Sequence, residues 1–156
     1  MVESLSEVAR RVDGQIEKSR AELVAAVRRA AADGLTQSEI ARQIGRSQPE
    51  VSRLLRFHGT TPLAMKLRRS ADQVKQLVSA AGGSRVRVFG SVATGDDRLG
   101  SDVDLVFSMG RPLGLMELGR LEARLADAIG APVDLVPESS VRPDLRERID
   151  AEAVPL

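Results

Sequence analysis

The chain has 156 residues, enough to bury one moderate core or two small ones. It contains no cysteine, one histidine and three phenylalanines as its whole aromatic complement. That excludes a disulfide framework, a thiolate or His-paired zinc site, and base stacking on Trp or Tyr. The net charge of +1 hides an asymmetry: residues 1–81 carry fourteen Lys/Arg against nine Asp/Glu, and residues 82–156 carry nine against thirteen.

A basic front half and an acidic back half predict two modules with different partners. No apolar run approaches the ~18 residues of a membrane span, and the N-terminus lacks the charged-then-apolar layout of a signal peptide. The expectation is a cytoplasmic protein with no membrane partner.

From about Glu3 to Ala32, apolar residues recur at helical spacing through Leu5, Val8, Val12, Ile16, Leu23, Val27 and Ala30. Gly14 is a weak point, and Asp33-Gly34 ends the run. A helix this long predicts pairing with a partner chain or a long neighbour. Two short helices follow, because Thr36 with Glu39 and Ser47 with Glu50 each form a capping-box pattern, with Gly45 supplying the turn between them. Ile40, Ala41 and Ile44 give the first of these an apolar edge, as Val51 and Leu54 do for the second. Ser47, Gln48, Ser52, Arg53 and Arg56 are left pointing outward, on a helix suited to a major groove.

Thr61-Pro62 opens another helix, which runs through Leu67, Val74 and Val78 and stops at Gly82-Gly83. Beyond that point the period shortens to two. Arg85–Phe89, Asp102–Phe107 and Val133–Val136 read as strands, Leu113–Ile129 as a helix, and Pro143 to about Ala151 as a final helix. The module boundary falls at 60/61, giving domains 1–60 and 61–156.

The chemistry concentrates between residues 90 and 134. On a strand, Asp102 and Asp104 share one face while Val103 and Leu105 enter the core. Two carboxylates so close raise each other's pKa unless a cation neutralises them. Oxygen-only ligands favour Mg2+ or Mn2+. Asp134 in Val133-Asp134-Leu135-Val136 shows the same alternation. As a third carboxylate on a neighbouring strand it completes a two-metal site for displacement at phosphorus. Gly90-Ser91 offers a turn whose N–H groups and hydroxyl suit terminal phosphates.

Two resemblances follow from these residues. Residues 36–56 resemble the helix-turn-helix of phage-repressor-class regulators, with a small residue, a turn glycine and two later aliphatics at that family's spacing. This implies operator DNA as partner and a homodimer reading two half-sites. Residues 62–156 resemble the minimal nucleotidyltransferases of the DNA polymerase β superfamily, whose signature is Gly-Ser, a loop, Asp-x-Asp and a later acidic residue. The implied fold is α+β: an all-α N-terminal domain, then a small mixed sheet flanked by helices.

By that likeness Gly90 and Ser91 bind the triphosphate of ATP, Asp102 and Asp104 bind both metals, and Asp134 holds the metal that activates the acceptor hydroxyl. Many relatives carry arginine where this chain has Thr94; Arg98 in the following loop is the replacement at hand. Such proteins commonly pair with a HEPN-type toxin and neutralise it by attaching AMP to a tyrosine. The expectation is therefore a transferase antitoxin that represses its own promoter. Two alternatives stay open: a DNA-binding regulator whose transferase-like domain is weak or inactive, and a transferase acting on a small-molecule hydroxyl.

Overall fold

The computed structural model describes residues 3–156, and the chain divides after Leu55 into two units, each with its own core. In the first unit α1 spans Leu5–Ala32, α2 Gln37–Ile44 and α3 Gln48–Leu55. Ser4, unnoticed in the sequence, caps α1 through a capping box with Glu7. The Thr36–Glu39 and Ser47–Glu50 boxes both form. Gly45 takes φ 66°, the left-handed turn that leaves only three residues between α2 and α3.

Val27, Ile40, Ala41 and Val51 make this unit's buried core. The front of α1 lies outside it. Leu5 is 90% exposed and Ile16 60% exposed, although they continue the same apolar stripe. Gly14 does not interrupt the helix.

The second unit holds α4 (Pro62–Ala80), β1 (Gly83–Phe89), α5 (Gly90–Thr94), β2 (Val103–Met109), α6 (Leu115–Ile129), β3 (Val133–Pro137), α7 (Pro143–Glu152) and β4 (Val154–Pro155). The sheet order is β3-β2-β1-β4, with β2 and β3 parallel and the other pairs antiparallel. The α6 crossover supplies the connection that a parallel pair needs. Packing of α4 and α6 covers one sheet face, burying Leu67, Val78, Leu121, Leu125, Leu105 and Phe107. The opposite face carries Asp104, Asp134, Arg87 and Ser108, with Val106 and Val136 among them.

Two sequence expectations shift. The division falls at 55/56 rather than 60/61, because Phe57 joins the second core and its N–H donates to the Pro155 carbonyl of β4. The charge asymmetry also dissolves. Residues 1–55 hold nine basic and eight acidic side chains, and residues 56–156 hold fourteen of each. Lys66, Arg68, Arg69 and Lys75 of α4, which made the front half basic, belong to the second unit.

Candidate active site

β1 ends at Phe89 and the chain turns at once into α5, a five-residue helix where the sequence suggested only a turn. Gly90 sits at φ 72°, and any Cβ there would run into the Asp104 carboxylate. Glycine is thus required twice, by the left-handed backbone and by the close approach of Asp104. Ser91 follows on the same short helix, half-buried.

Asp104 lies on β2 opposite Phe89, and Asp134 on β3 is its registered parallel partner. Neighbouring strands lie about 4.8 Å apart, so the two side chains stand next to each other on one sheet face. Asp102 is exposed just ahead of β2, two residues earlier and on the same side by alternation. The aliphatic residues between them, Val103, Leu105, Val133 and Leu135, are buried in the core and fix the register. Behind β3, Glu122 of α6 accepts from the Leu135 N–H at 3.0 Å and holds the strand segment that carries Asp134.

Burial, then the charges of Asp134 and Asp102, push the Asp104 carboxyl up to about 6. A carboxyl so perturbed, beside the Gly90-Ser91 turn, is a candidate functional group.

Comparison with known proteins identifies the family. Residues 67–156 match the nucleotidyltransferase domain family. The chain is a nucleotidyltransferase of this family. It is 36% identical over 73 residues to a candidate protein adenylyltransferase of Methanocaldococcus jannaschii, covering 47% of this chain and 78% of that protein. A solved candidate minimal nucleotidyltransferase superposes with a TM-score of 0.55 at 38% identity, covering 64% of this chain and all of that one. A toxin–antitoxin solved with AMP-PNP shares the fold at a TM-score of 0.50 and 22% identity, over 54% of this chain and 69% of that one. These relatives place the chain among the minimal nucleotidyltransferases.

The transferase's acidic residues suit a divalent cation in charge and donor type. Among the described residues, no three acidic or histidine side chains are gathered as a ready metal cage. Magnesium needs none, since it is usually held by one or two carboxylates with substrate phosphates and water filling its other positions. The raised Asp104 carboxyl is the complementary observation: a partly buried carboxylate that feels the charges of Asp134 and Asp102 favours a cation that would neutralise them.

Thr94 closes α5. Its hydroxyl donates to Asp96 at 2.9 Å and also contacts the Gly90 and Ser91 carbonyls at 3.3 Å. Arg98 lies exposed in the following loop, its N–H donating to Ser101. Thr61 donates to Asp97 at 2.7 Å and ties that loop to the start of α4.

Sequence reasoning passed over a second polar cluster on the same sheet face. A bulge between Ser84 and Arg87, with Arg85 at φ 52°, turns both Arg85 and Arg87 toward Glu138, in the 3-10 turn Glu138–Ser140 after β3. Arg87 donates to Glu138 at 2.7 Å and the Ser108 hydroxyl donates to the same carboxylate at 2.6 Å, while Asp150 of α7 lies 3.7 Å from Arg87. The period-two pair Arg85/Arg87 was visible in the sequence. Its partner, fifty residues on, was not.

In the first unit, Ser47, Gln48 and Arg53 are exposed and Ser52 is half-buried; Arg56 is exposed but belongs to the second unit. The Ser47 hydroxyl is taken up by its cap, donating to Glu50 at 2.8 Å. Gln48 donates to Gln37 of α2. Both side chains are thus engaged within the unit, and a groove contact would have to replace those bonds.

Proposed function

We propose that this nucleotidyltransferase moves a nucleoside monophosphate, AMP from ATP, onto a hydroxyl of a partner protein with Mg2+ or Mn2+. The observation that carries this reading is Asp104, seated over Gly90 and registered against Asp134. The name of the Methanocaldococcus relative supports AMP and a protein acceptor.

The acceptor oxygen attacks the α-phosphorus, an O–P bond forms, and the bond to the bridging oxygen of the β-phosphate breaks to release pyrophosphate. Gly90 and Ser91 hold the terminal phosphates, and Asp134 takes the hydroxyl proton. Asp102 and Asp104, with Asp134, hold the cations, whose chemistry is to neutralise charge on the attacking and leaving oxygens. Arg98 reaches the triphosphate from its loop.

The partner is a HEPN-type toxin and the transferase its antitoxin, in keeping with the toxin–antitoxin solved in the same fold. The first unit serves as a helix-turn-helix that binds operator DNA through the α3 surface of Ser47, Gln48, Ser52 and Arg53, with Arg56 beyond it, and represses the shared operon. The exposed Leu5, Val12 and Ile16 of α1 support a homodimer. Ile16→Glu lowers the mass seen by sedimentation to that of a monomer if so, and leaves it unchanged if not.

A second reading has one observation in its favour. The Thr94 hydroxyl is tied to Asp96 and the α5 backbone, at the position where many members of the resembled family carry arginine. In that case the transferase unit is weakly active or inactive and the protein is chiefly a DNA-binding regulator.

Co-purification with the product of the adjacent reading frame, followed by intact mass, separates the two. The first reading predicts a gain of one or more AMP units on the partner, lost in Asp102→Asn/Asp104→Asn. An unmodified partner, with operator binding intact, supports the second.

A further inference from the structure

The loop between α5 and β2, residues 95–101, has little apolar packing of its own. Gly95, Asp96, Arg98, Leu99 and Gly100 are exposed, Leu99 completely, and the two glycines take left-handed φ of 83° and 86°. Local bonds shape its ends. The Asp96 N–H donates to the Ser91 carbonyl at 2.9 Å, and Arg98 and Ser101 close a small turn just ahead of Asp102. Asp97, in the middle, is half-buried. Thr61 Oγ1 donates to Asp97 Oδ2 at 2.7 Å, joining positions 36 residues apart. The same hydroxyl accepts from the Ala64 N–H at 3.2 Å as the cap of α4, so its single proton is left for the carboxylate.

Thr61 is a fixed post for that bond. Before it, Phe57 is buried in the second core with its N–H on the Pro155 carbonyl at 2.8 Å. Gly59 packs so closely on the Phe57 ring and Ala64 that a Cβ has no room. After it, Pro62 opens α4 and Ala64 is fully buried. Asp97 is held less comfortably. Its Oδ1 is buried with no hydrogen-bond partner among the described residues, a loss that calls for a compensating gain. Capping α4 is not that gain, because the Thr61 hydroxyl caps the helix by itself. What the carboxylate adds is a charge-assisted bond between a fixed post and an exposed loop.

We infer that Thr61 and Asp97 are positioning residues of the transferase: their bond orders the loop in advance, so that Arg98, the next residue, meets the triphosphate already in place. The inference rests on the nucleotidyltransferase reading and adds to it the device that holds its loop. A segment ordered only on binding subtracts its conformational entropy from the affinity, whereas one ordered beforehand does not. The latch therefore acts on nucleotide binding through Arg98. Asp104 and Asp134 keep their places by strand register, independently of it.

The test variant is Thr61→Asp in the full chain. Aspartate caps a helix as well as threonine does, but it has no proton to give and sets a second carboxylate against Asp97. The KM for ATP should rise about tenfold with kcat within about twofold, and the Kd of inorganic tripolyphosphate with Mg2+, read by calorimetry, should rise in step. Thr61→Ser keeps both cap and donor and should match the wild type. Asp97→Ala should weaken tripolyphosphate by the same factor without lowering the melting temperature, because the unpartnered oxygen leaves with the bond. In an Arg98→Ala background, Thr61→Asp should change neither constant by more than about twofold, since the two residues act through one contact. An unchanged tripolyphosphate Kd in both Thr61→Asp and Asp97→Ala would overturn the inference. So would an equal rise with Arg98 already removed, which would make the bond structural only. Failure of the wild type to bind tripolyphosphate or any nucleotide would instead refute the transferase reading beneath it.

Discussion

The two faces of the four-stranded sheet differ by one residue step and by everything else. Leu105, Phe107, Val103 and Leu135 enter a core closed by α4 and α6. Asp104, Asp134, Arg87 and Ser108 face the other way, where like charges are pressed together and opposite charges are chained through Glu138. One face supplies the stability that the other spends on function. A strand whose register is fixed by buried aliphatics can hold two carboxylates side by side at a cost they could not bear alone.

This contrast can be broken from either face. The largest effect is expected from Leu105→Ala: a wholly buried side chain is removed, costing about 2–5 kcal/mol, read as a drop in the urea midpoint. A loss under about 1 kcal/mol would mean that the helix-covered face is not the stabilising one.

Gly90→Ala comes next. It forces a left-handed alanine and a Cβ against Asp104, for about 1–2 kcal/mol from the backbone alone, and it also displaces the carboxylate. Transfer activity should fall more than stability does, as read by labelled product per folded molecule.

Asp104→Asn should move the two properties in opposite directions. Transfer falls by about 10³-fold or more. The metal-free protein becomes more stable at pH 7.5, by about 1–2 kcal/mol once solvent screening is allowed for. The sign follows from the raised carboxyl: ionised Asp104 costs stability above about pH 6, and the cost disappears toward the ordinary carboxylate value near 3.8. Thermal melts in EDTA across pH 4–8 should therefore show the variant's advantage at neutral pH shrinking as the pH falls.

Glu138→Gln should give the smallest effect, near 1 kcal/mol, because the carboxylate is about one-third exposed. The Ser108 hydroxyl, and then Arg87 and Arg85, hold its carboxyl below the usual range. Its contribution is full above the ordinary carboxylate pKa and is lost as the pH falls through the lowered value. The variant's acid limb should be correspondingly flatter.

Much of this contrast was legible in the sequence because it is local. The capping pairs Thr36–Glu39 and Ser47–Glu50, the helix opening at Thr61-Pro62 and the alternation Asp102-Val103-Asp104-Leu105 each lie within five residues. What escaped depends on distance along the chain. Glu138 meets Arg87 across 51 residues, and Phe57 meets β4 across nearly a hundred. Neither pairing leaves a periodic trace. The α5 helix escaped for another reason: five residues are too few for periodicity, and Gly-Ser reads as a turn whichever way the backbone continues. The charge asymmetry was a real count joined to the wrong boundary, because α4 is basic yet packs on the sheet.

The central claim is that Gly90, Ser91, Asp102, Asp104 and Asp134 form a site for nucleotidyl transfer. Its most direct test is paired labelling with Mg2+, using ATP that carries the label on the α- or on the γ-phosphate, with the co-purified partner as acceptor. The α-label should pass to the partner and the γ-label should leave as pyrophosphate, and neither should occur with Asp104→Asn. Gamma-label on the partner, or α-labelling equal in the wild type and Asp104→Asn, would contradict the account.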